Sequence, residues 1–126
     1  MRSNYQQWYD VMRALQEDVG GGNFMIKEAD SHNLLRPDTV ESLFVLSRVT
    51  GNATYVEPGW QIFRAFEAFT KYEAGGYTNL RSVLHQPPER SDKMESFFVA
   101  ETLKYLLLLF SPAEVRSALL QPWLVL

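Results

Sequence analysis

Residues 32–44 read HNLLRPDTVESLF, and the interpretation of the whole chain begins with this stretch. Pro37 suits the first turn of a helix, where a missing N–H leaves no bond unmade, and an apolar run follows it. Asp38 and Glu41 are three residues apart, so they share one face of that helix. The same acid pair also resembles a helix cap, because acids in a first turn complement the helix dipole. Spacing alone leaves a structural and a functional role open.

The composition is that of a single globular domain. The chain has 126 residues, of which 46% are hydrophobic and 21% are charged. Its net charge of −3 argues against a nucleic-acid partner. Without cysteine it can form neither a disulfide framework nor a thiolate metal site. No apolar run is long enough to cross a bilayer and no signal peptide is visible, so we expect no membrane segment and no export signal in this chain.

Apolar spacings of three and four residues predict an α-helical protein with almost no strand. The predicted helices cover residues 4–19, 37–49, 92–110 and 113–120. One more helix is predicted to begin at about 57–59. A short extended segment is expected at 23–26, and a glycine-rich turn, a candidate hairpin tip, at 74–79. Asn52 opens an Asn-x-Thr glycosylation pattern, which matters only if the chain enters a secretory lumen.

A second acid lies inside the apolar helix predicted at 92–110. Phe97 and Glu101 are four residues apart and so share a helix face. An acid in such a helix is costly unless it is paired, solvated or near a cation. From the residues alone, a structural ion pair is therefore the favoured role for Glu101.

Four segments of the chain, in the same order, resemble glycoside hydrolase family 47, the class I α-1,2-mannosidases. The first is residues 32–44, which resembles the family signature HNLLRPETVESLF and departs from it at Asp38. The others are GWQIFRAF at 59–66, GGY at 75–77 and DKMESFFVAETLKY at 92–105. The likeness is clear over about residues 23–111, and residues 112–126 form a divergent tail.

The resemblance implies a fold and an activity. The expected fold is all-α: part of an (α/α)7 barrel of helix hairpins, with at most a short β-hairpin. Residues 1–126 would form a single segment, the C-terminal part of a mannosidase catalytic domain. The family hydrolyses terminal α-1,2-linked mannose with inversion in N-glycan processing, and it uses calcium. High-mannose N-glycans are the expected substrate, and the endoplasmic reticulum or Golgi lumen is the expected location of the parent protein.

The resemblance also implies roles for five residues. Asp38 occupies the position of the catalytic base, with a side chain one methylene shorter than the usual glutamate. Arg36 matches an arginine that contacts the glycan, and Phe97 an aromatic that packs against the sugar. Glu41 and Glu101 match acids near the calcium, which they approach through water, and Glu101 also lies beside the sugar.

Two parts of the family's machinery have no counterpart in this sequence. The general acid belongs to an upstream segment, and the threonine that binds calcium directly belongs to a later one. We therefore expect a fragment that by itself neither hydrolyses mannosides nor holds calcium tightly, and whose partner is the remainder of the catalytic domain. Two alternatives stay open: a non-catalytic, mannosidase-like factor that recognises glycans in glycoprotein quality control, and a plain helical interaction domain.

Overall fold

The computed structural model describes residues 27–115, and the helix predicted at 4–19 and the extended segment at 23–26 lie outside them. The chain divides into two compact units, Met1–Ser31 and His32–Leu126. The described part of the first is a 3-10 turn, Glu28–Asp30, closed by a bond from the Ser31 hydroxyl to the Glu28 carbonyl. The second contains α1 (Asp38–Thr50), a 3-10 turn (Ala53–Tyr55), α2 (Val56–Phe69), β1 (Leu80–Ser82), β2 (Glu89–Arg90), a π-helix (Phe98–Leu103) and α3 (Lys104–Phe110).

The first predicted helix of this unit is confirmed to within one residue at each end. Helix α1 begins directly after Pro37. It ends at Gly51, whose φ of 66° lies in the left-handed region that glycine adopts at low cost. Helix α2 begins at Val56, slightly before the predicted start. In the 3-10 turn that precedes it, the Asn52 side-chain oxygen accepts a bond from the Thr54 N–H.

The last long helix begins later than predicted. Residues 96–110 are helical, whereas 91–95 are not, so the predicted start of this helix at Asp92 is wrong. The backbone before the helix is bound elsewhere: the Lys93 carbonyl accepts from the Asn79 N–H and the Ser91 N–H donates to the Asn79 carbonyl, each at 2.8 Å. Glu95 forms an ion pair with Lys93 at 2.7 Å. Of the helix predicted at 113–120, the described residues 113–115 are helical.

The strand content of the described residues is small. Strands β1 and β2 form an antiparallel pair with an irregular register, and an isolated bridge joins Asn33 to Leu80 of β1. The predicted glycine-rich turn is confirmed as a tip closed by a bridge between Lys71 and Tyr77. Among the described residues, no helix is both long and apolar enough to cross a membrane.

The core lies where the stretch before α1 meets α2 and the last helix. It consists of five buried side chains, Leu35, Val40, Phe66, Phe98 and Leu106. The Phe98 ring is completely buried and contacts the rings of Phe66 and Tyr77, with centroid distances of 5.9 and 5.0 Å. Phe98 is therefore the aromatic centre of the core, and its neighbour Phe97 is left only half-buried.

We expect the Phe98→Ala substitution to lower the free energy of unfolding by about 3–5 kcal/mol, because it empties the centre of the core. The matched control is Val99→Ala, one residue further along the same π-helix, where the side chain is 57% exposed. That change should stay within about 0.5 kcal/mol of the unsubstituted chain. Urea denaturation of the three proteins measures both, and equal losses at 98 and 99 would contradict this assignment of the core.

Candidate functional site

The site begins at a buried turn that carries the HNLLRPD motif. Leu35 has φ 58° and no exposed surface, and this left-handed conformation is uncommon for a residue other than glycine. Its N–H donates to the Asn33 side-chain oxygen at 2.9 Å, and its carbonyl accepts from the Thr102 hydroxyl at 2.7 Å. Asn33 is itself fixed by two backbone bonds to Leu80. The turn is therefore bound to β1 on one side and to the π-helix on the other.

Arg36 and Asp38 follow this turn, and both are exposed. Arg36 lines a cavity of about 280 Å³ whose wall also includes Ile62 and Phe66 of α2. The other four predicted site residues do not line this cavity. The cavity is thus lined by Arg36, the predicted glycan-binding residue, but not by Asp38, the predicted base.

A second group forms where α1 meets the last helix. The Tyr105 hydroxyl donates to Glu41 Oε1 at 2.9 Å. This bond is the largest cause of a raised pKa at Tyr105; burial and the negative charges of Glu41 and Glu101 add to it. The two acids that the resemblance assigns to the calcium neighbourhood therefore act on the same phenol, although they come from different helices.

Tyr105 was not among the predicted site residues. Its ring packs against Phe44 at a centroid distance of 5.9 Å, and the Lys104 ammonium lies 4.5 Å from its centroid. A tyrosine four residues after Glu101 was a usable signal, because residues at that spacing lie on neighbouring parts of a helix surface. A tyrosine in an apolar run is more often a core residue, however, and the sequence could not single it out.

The remaining predicted residues keep separate positions. Glu101 is exposed within the π-helix, so the burial cost that favoured a structural ion pair does not arise. Phe97 lies directly before the π-helix and is half-buried. Asn52 is exposed, and its side-chain oxygen accepts from the Thr54 N–H at 2.9 Å. The structure thus joins Glu41 to Tyr105, with Glu101 near enough for its charge to act on that phenol. It leaves Arg36 at the cavity, and Asp38 and Phe97 outside both groups.

The described residues do not by themselves fit a calcium ion. Within residues 27–115 no three or more acidic or histidine side chains are grouped as metal ligands would be. Calcium takes six to eight oxygen ligands. Glu41 and Glu101 alone offer too few, and Glu41 already accepts the bond from Tyr105.

Three comparisons with known proteins identify the relatives of this chain. The family model for glycosyl hydrolase family 47 matches residues 4–125. Mannosyl-oligosaccharide 1,2-alpha-mannosidase MNS3 of Arabidopsis thaliana is 55% identical over 108 residues, which are 79% of this chain and 17% of that protein. The human endoplasmic reticulum mannosyl-oligosaccharide 1,2-alpha-mannosidase is 59% identical over 98 residues, 77% of this chain and 14% of that protein. An alpha-1,2-mannosidase from Trichoderma reesei superposes with a TM-score of 0.62 and 28% identity, over 78% of this chain and 23% of that one.

These similarities place the chain among the glycoside hydrolases. Because the family model matches residues 4–125, the chain belongs to glycosyl hydrolase family 47. The resemblance inferred from the four motifs is thereby confirmed, as is the expected fold, a helical part of an (α/α)7 barrel with a small two-stranded sheet. The chain spans about a sixth of the length of the curated relatives that it matches.

We expect the pKa of Tyr105 to fall towards its ordinary value in Glu41→Gln, because the charged acceptor of its hydrogen bond is lost. Glu101→Gln should lower this pKa less, since Glu101 acts only through its charge. The control is Glu73→Gln, an exposed acid directly before the glycine-rich turn, which should leave the pKa of Tyr105 unchanged. An NMR titration of ¹³Cζ-labelled tyrosine, assigned with Tyr105→Phe, gives the three values. An equal fall in Glu73→Gln, or none in Glu41→Gln, would contradict the geometry of this group.

Proposed function

We propose that residues 1–126 form the C-terminal part of the catalytic domain of a mannosyl-oligosaccharide 1,2-α-mannosidase, which removes terminal α-1,2-linked mannose from N-glycans with inversion. The observation that carries the proposal is that two motif segments far apart in sequence are joined at the site. Thr102 donates to Leu35 across 67 residues, and Tyr105 donates to Glu41 across 64. A mannosidase site built from both segments requires that they lie together, and these two bonds support that requirement.

Asp38 is the proposed catalytic base. In an inverting glycosidase one carboxylic acid protonates the leaving oxygen, and a carboxylate across the sugar ring activates the attacking water. Asp38 is exposed at the first residue of α1, where a water molecule can reach its carboxylate. Its shorter side chain brings that water closer to the backbone than a glutamate would. A displacement of about 1 Å can cost on the order of 10²-fold in rate, so this aspartate is a determinant of the turnover rate.

The other predicted residues are proposed to bind the substrate. Arg36 offers a guanidinium with five N–H donors, which can bind the hydroxyl oxygens of a glycan, in the wall of the cavity that it lines. Phe97 offers an aromatic surface to the apolar C–H face of mannose. Glu101 is exposed one turn further on, within reach of polar partners. Glu41, held by Tyr105, completes the acidic side of the site.

We propose that calcium and the general acid are supplied with the remainder of a catalytic domain. Glu41 and Glu101 would then meet the ion through water, as the family resemblance implies, and we assign it no step. Helix α1 presents a row of apolar side chains that the described residues leave exposed: Val45 at 47%, Leu46 at 42% and Val49 at 80%. Apolar surface of this kind is typical of an interface. In a barrel of helix hairpins, a neighbouring helix would cover it.

The proposed location is the lumen of the secretory pathway, because the human relative is named as an endoplasmic reticulum enzyme. In that compartment Asn52 would be available as a glycosylation acceptor on an exposed turn. A non-catalytic glycan-binding factor is the alternative that a specific observation favours. Asp38 stands where the family signature has glutamate, and a protein that binds glycans without hydrolysing them does not need the longer side chain.

A chimeric enzyme tests the proposed role of Asp38. In it, this chain replaces the matching segment of the Arabidopsis MNS3 mannosidase, whose other segments supply the rest of the domain. We expect the chimera to release mannose from α-1,2-mannobiose, and Asp38→Asn to lower kcat by about 10²–10⁴-fold, because the general base is lost. Asp38→Glu should raise kcat, since it restores the length of the family's side chain.

The matched control is Asp92→Asn. Asp92 is also an exposed acid in a motif segment, but unlike Asp38 it lies outside the helices. This substitution should leave kcat within about twofold of the unsubstituted chimera, as expected for a surface change away from the site. Full activity of Asp38→Asn would refute the assignment of the base. A folded chimera that binds high-mannose glycans without turnover, even as Asp38→Glu, would instead support the non-catalytic factor.

A further inference from the structure

Thr102 makes a contact that neither the motif resemblance nor the chemistry of the proposed site assigns to it. Its side chain has no exposed surface. Its hydroxyl donates to the Leu35 carbonyl at 2.7 Å, from the π-helix to the turn before α1. A hydrogen bond in a fully buried position is not weakened by competition from water. The two segments are therefore fixed to each other at this point.

The acceptor is the backbone of the strained residue. The Leu35 carbonyl belongs to the peptide group that leads into Arg36, so a bond to it sets the orientation of that peptide. Leu35 holds its left-handed conformation because Asn33 binds its N–H and Thr102 binds its carbonyl. Strained residues of this kind persist only where their surroundings fix them, and they are concentrated at functional sites.

Thr102, the donor of this bond, is next in sequence to a proposed substrate-binding residue. Thr102 directly follows Glu101 and lies in the same π-helix, a form that is rare and frequent at functional sites. One bond thus connects the peptide before Arg36 with the residue after Glu101.

We propose that Thr102 is a positioning residue of the mannosidase site. By binding the Leu35 carbonyl it fixes the peptide before Arg36, and thereby the places of Arg36 and Asp38 relative to Glu101. The inference rests on the function proposed above, since a site of this kind must hold the base and the sugar-binding residues in register. Thr102 touches neither the sugar nor water in this role and acts only through the backbone of Leu35.

The test uses the same chimera with four variants. Thr102→Val removes the hydroxyl and keeps the shape of the side chain, and Thr102→Ser keeps the hydroxyl. Thr102→Ala is compared with Thr102→Ser, because the two differ only by the hydroxyl, and it serves if the valine variant does not fold. The matched control is Thr70→Val: Thr70 is also buried, and its hydroxyl also donates to a carbonyl, that of Phe66, but within one segment of the fold.

We expect Thr102→Val to lower kcat about tenfold and to raise KM for α-1,2-mannobiose several-fold, because both the base and the glycan-binding arginine move. Thr102→Ser should restore both values to within about threefold, whereas Thr102→Ala should not. Thr70→Val should lower the melting temperature about as much as Thr102→Val does, because each removes one buried hydrogen bond, but it should leave KM unchanged. A sample that is merely part-unfolded loses apparent kcat without a change in KM, so KM separates positioning from stability.

The outcomes for the two proposals are distinct. An active chimera whose Thr102→Val and Thr102→Ala variants keep the KM and kcat of the parent overturns the positioning role and leaves the mannosidase proposal intact. The same holds if Thr70→Val changes KM as much as Thr102→Val, or if Thr102→Ser fails to restore it. A folded chimera without activity overturns the mannosidase proposal, and the positioning role with it.

Discussion

The conformation of Leu35 is the constraint on which the rest of the structure depends. A leucine at φ 58° is unfavourable in an isolated peptide because its β-carbon crowds the backbone, so its neighbours must compensate for it. Here the side chain is buried in the core while its two backbone groups are bound by Asn33 and Thr102. The turn is followed directly by α1, and Arg36 and Asp38 lie exposed at the point where the turn meets the helix. Core packing and the exposure of the functional groups are thus consequences of the same turn.

The acidic group around Tyr105 illustrates how a site can be assembled from marginal contacts. Glu41 is half-buried and its carboxylate accepts a hydrogen bond from the phenol, so the acid is oriented without being removed from solvent. Glu101 contributes only its charge at Tyr105. One carboxylate bound to the hydroxyl group, with the charge of a second nearby, leaves an acidic surface that remains able to take up further partners. That state suits residues which complete their coordination only when other segments of a domain are present.

Local signals predicted much of this fold from the sequence. Pro37 and Gly51 defined the ends of α1 through backbone preferences that need no tertiary information. The four motifs gave the family and the barrel fold. The start of the last helix was placed wrongly, because the backbone around Asp92 is bound to Asn79, a contact between distant residues that no local pattern reports.

The site was predicted less completely for the same reason. The π-helix at Phe98–Leu103 changes which residues follow one another around the helix surface, and the α-helical spacing used for Phe97 and Glu101 does not describe it. Tyr105 and Thr102 act through bonds to residues 64 and 67 positions away. Such partners become visible only when the chain is folded.

The contact at Gly59 limits how this part of the barrel can vary. A β-carbon at that position would lie 2.3 Å from the Leu109 side chain, which is itself buried, so α2 and α3 touch there with no space between them. Beside this point and one turn further along α2, the same two helices are held by aromatic rings, with Trp60 and Phe63 both against Phe110. A larger residue at 59 would have to displace the Leu109 side chain or push the two helices apart. Divergence within this helix pair is therefore constrained at residue 59, where any side chain would have to displace the buried tip of Leu109.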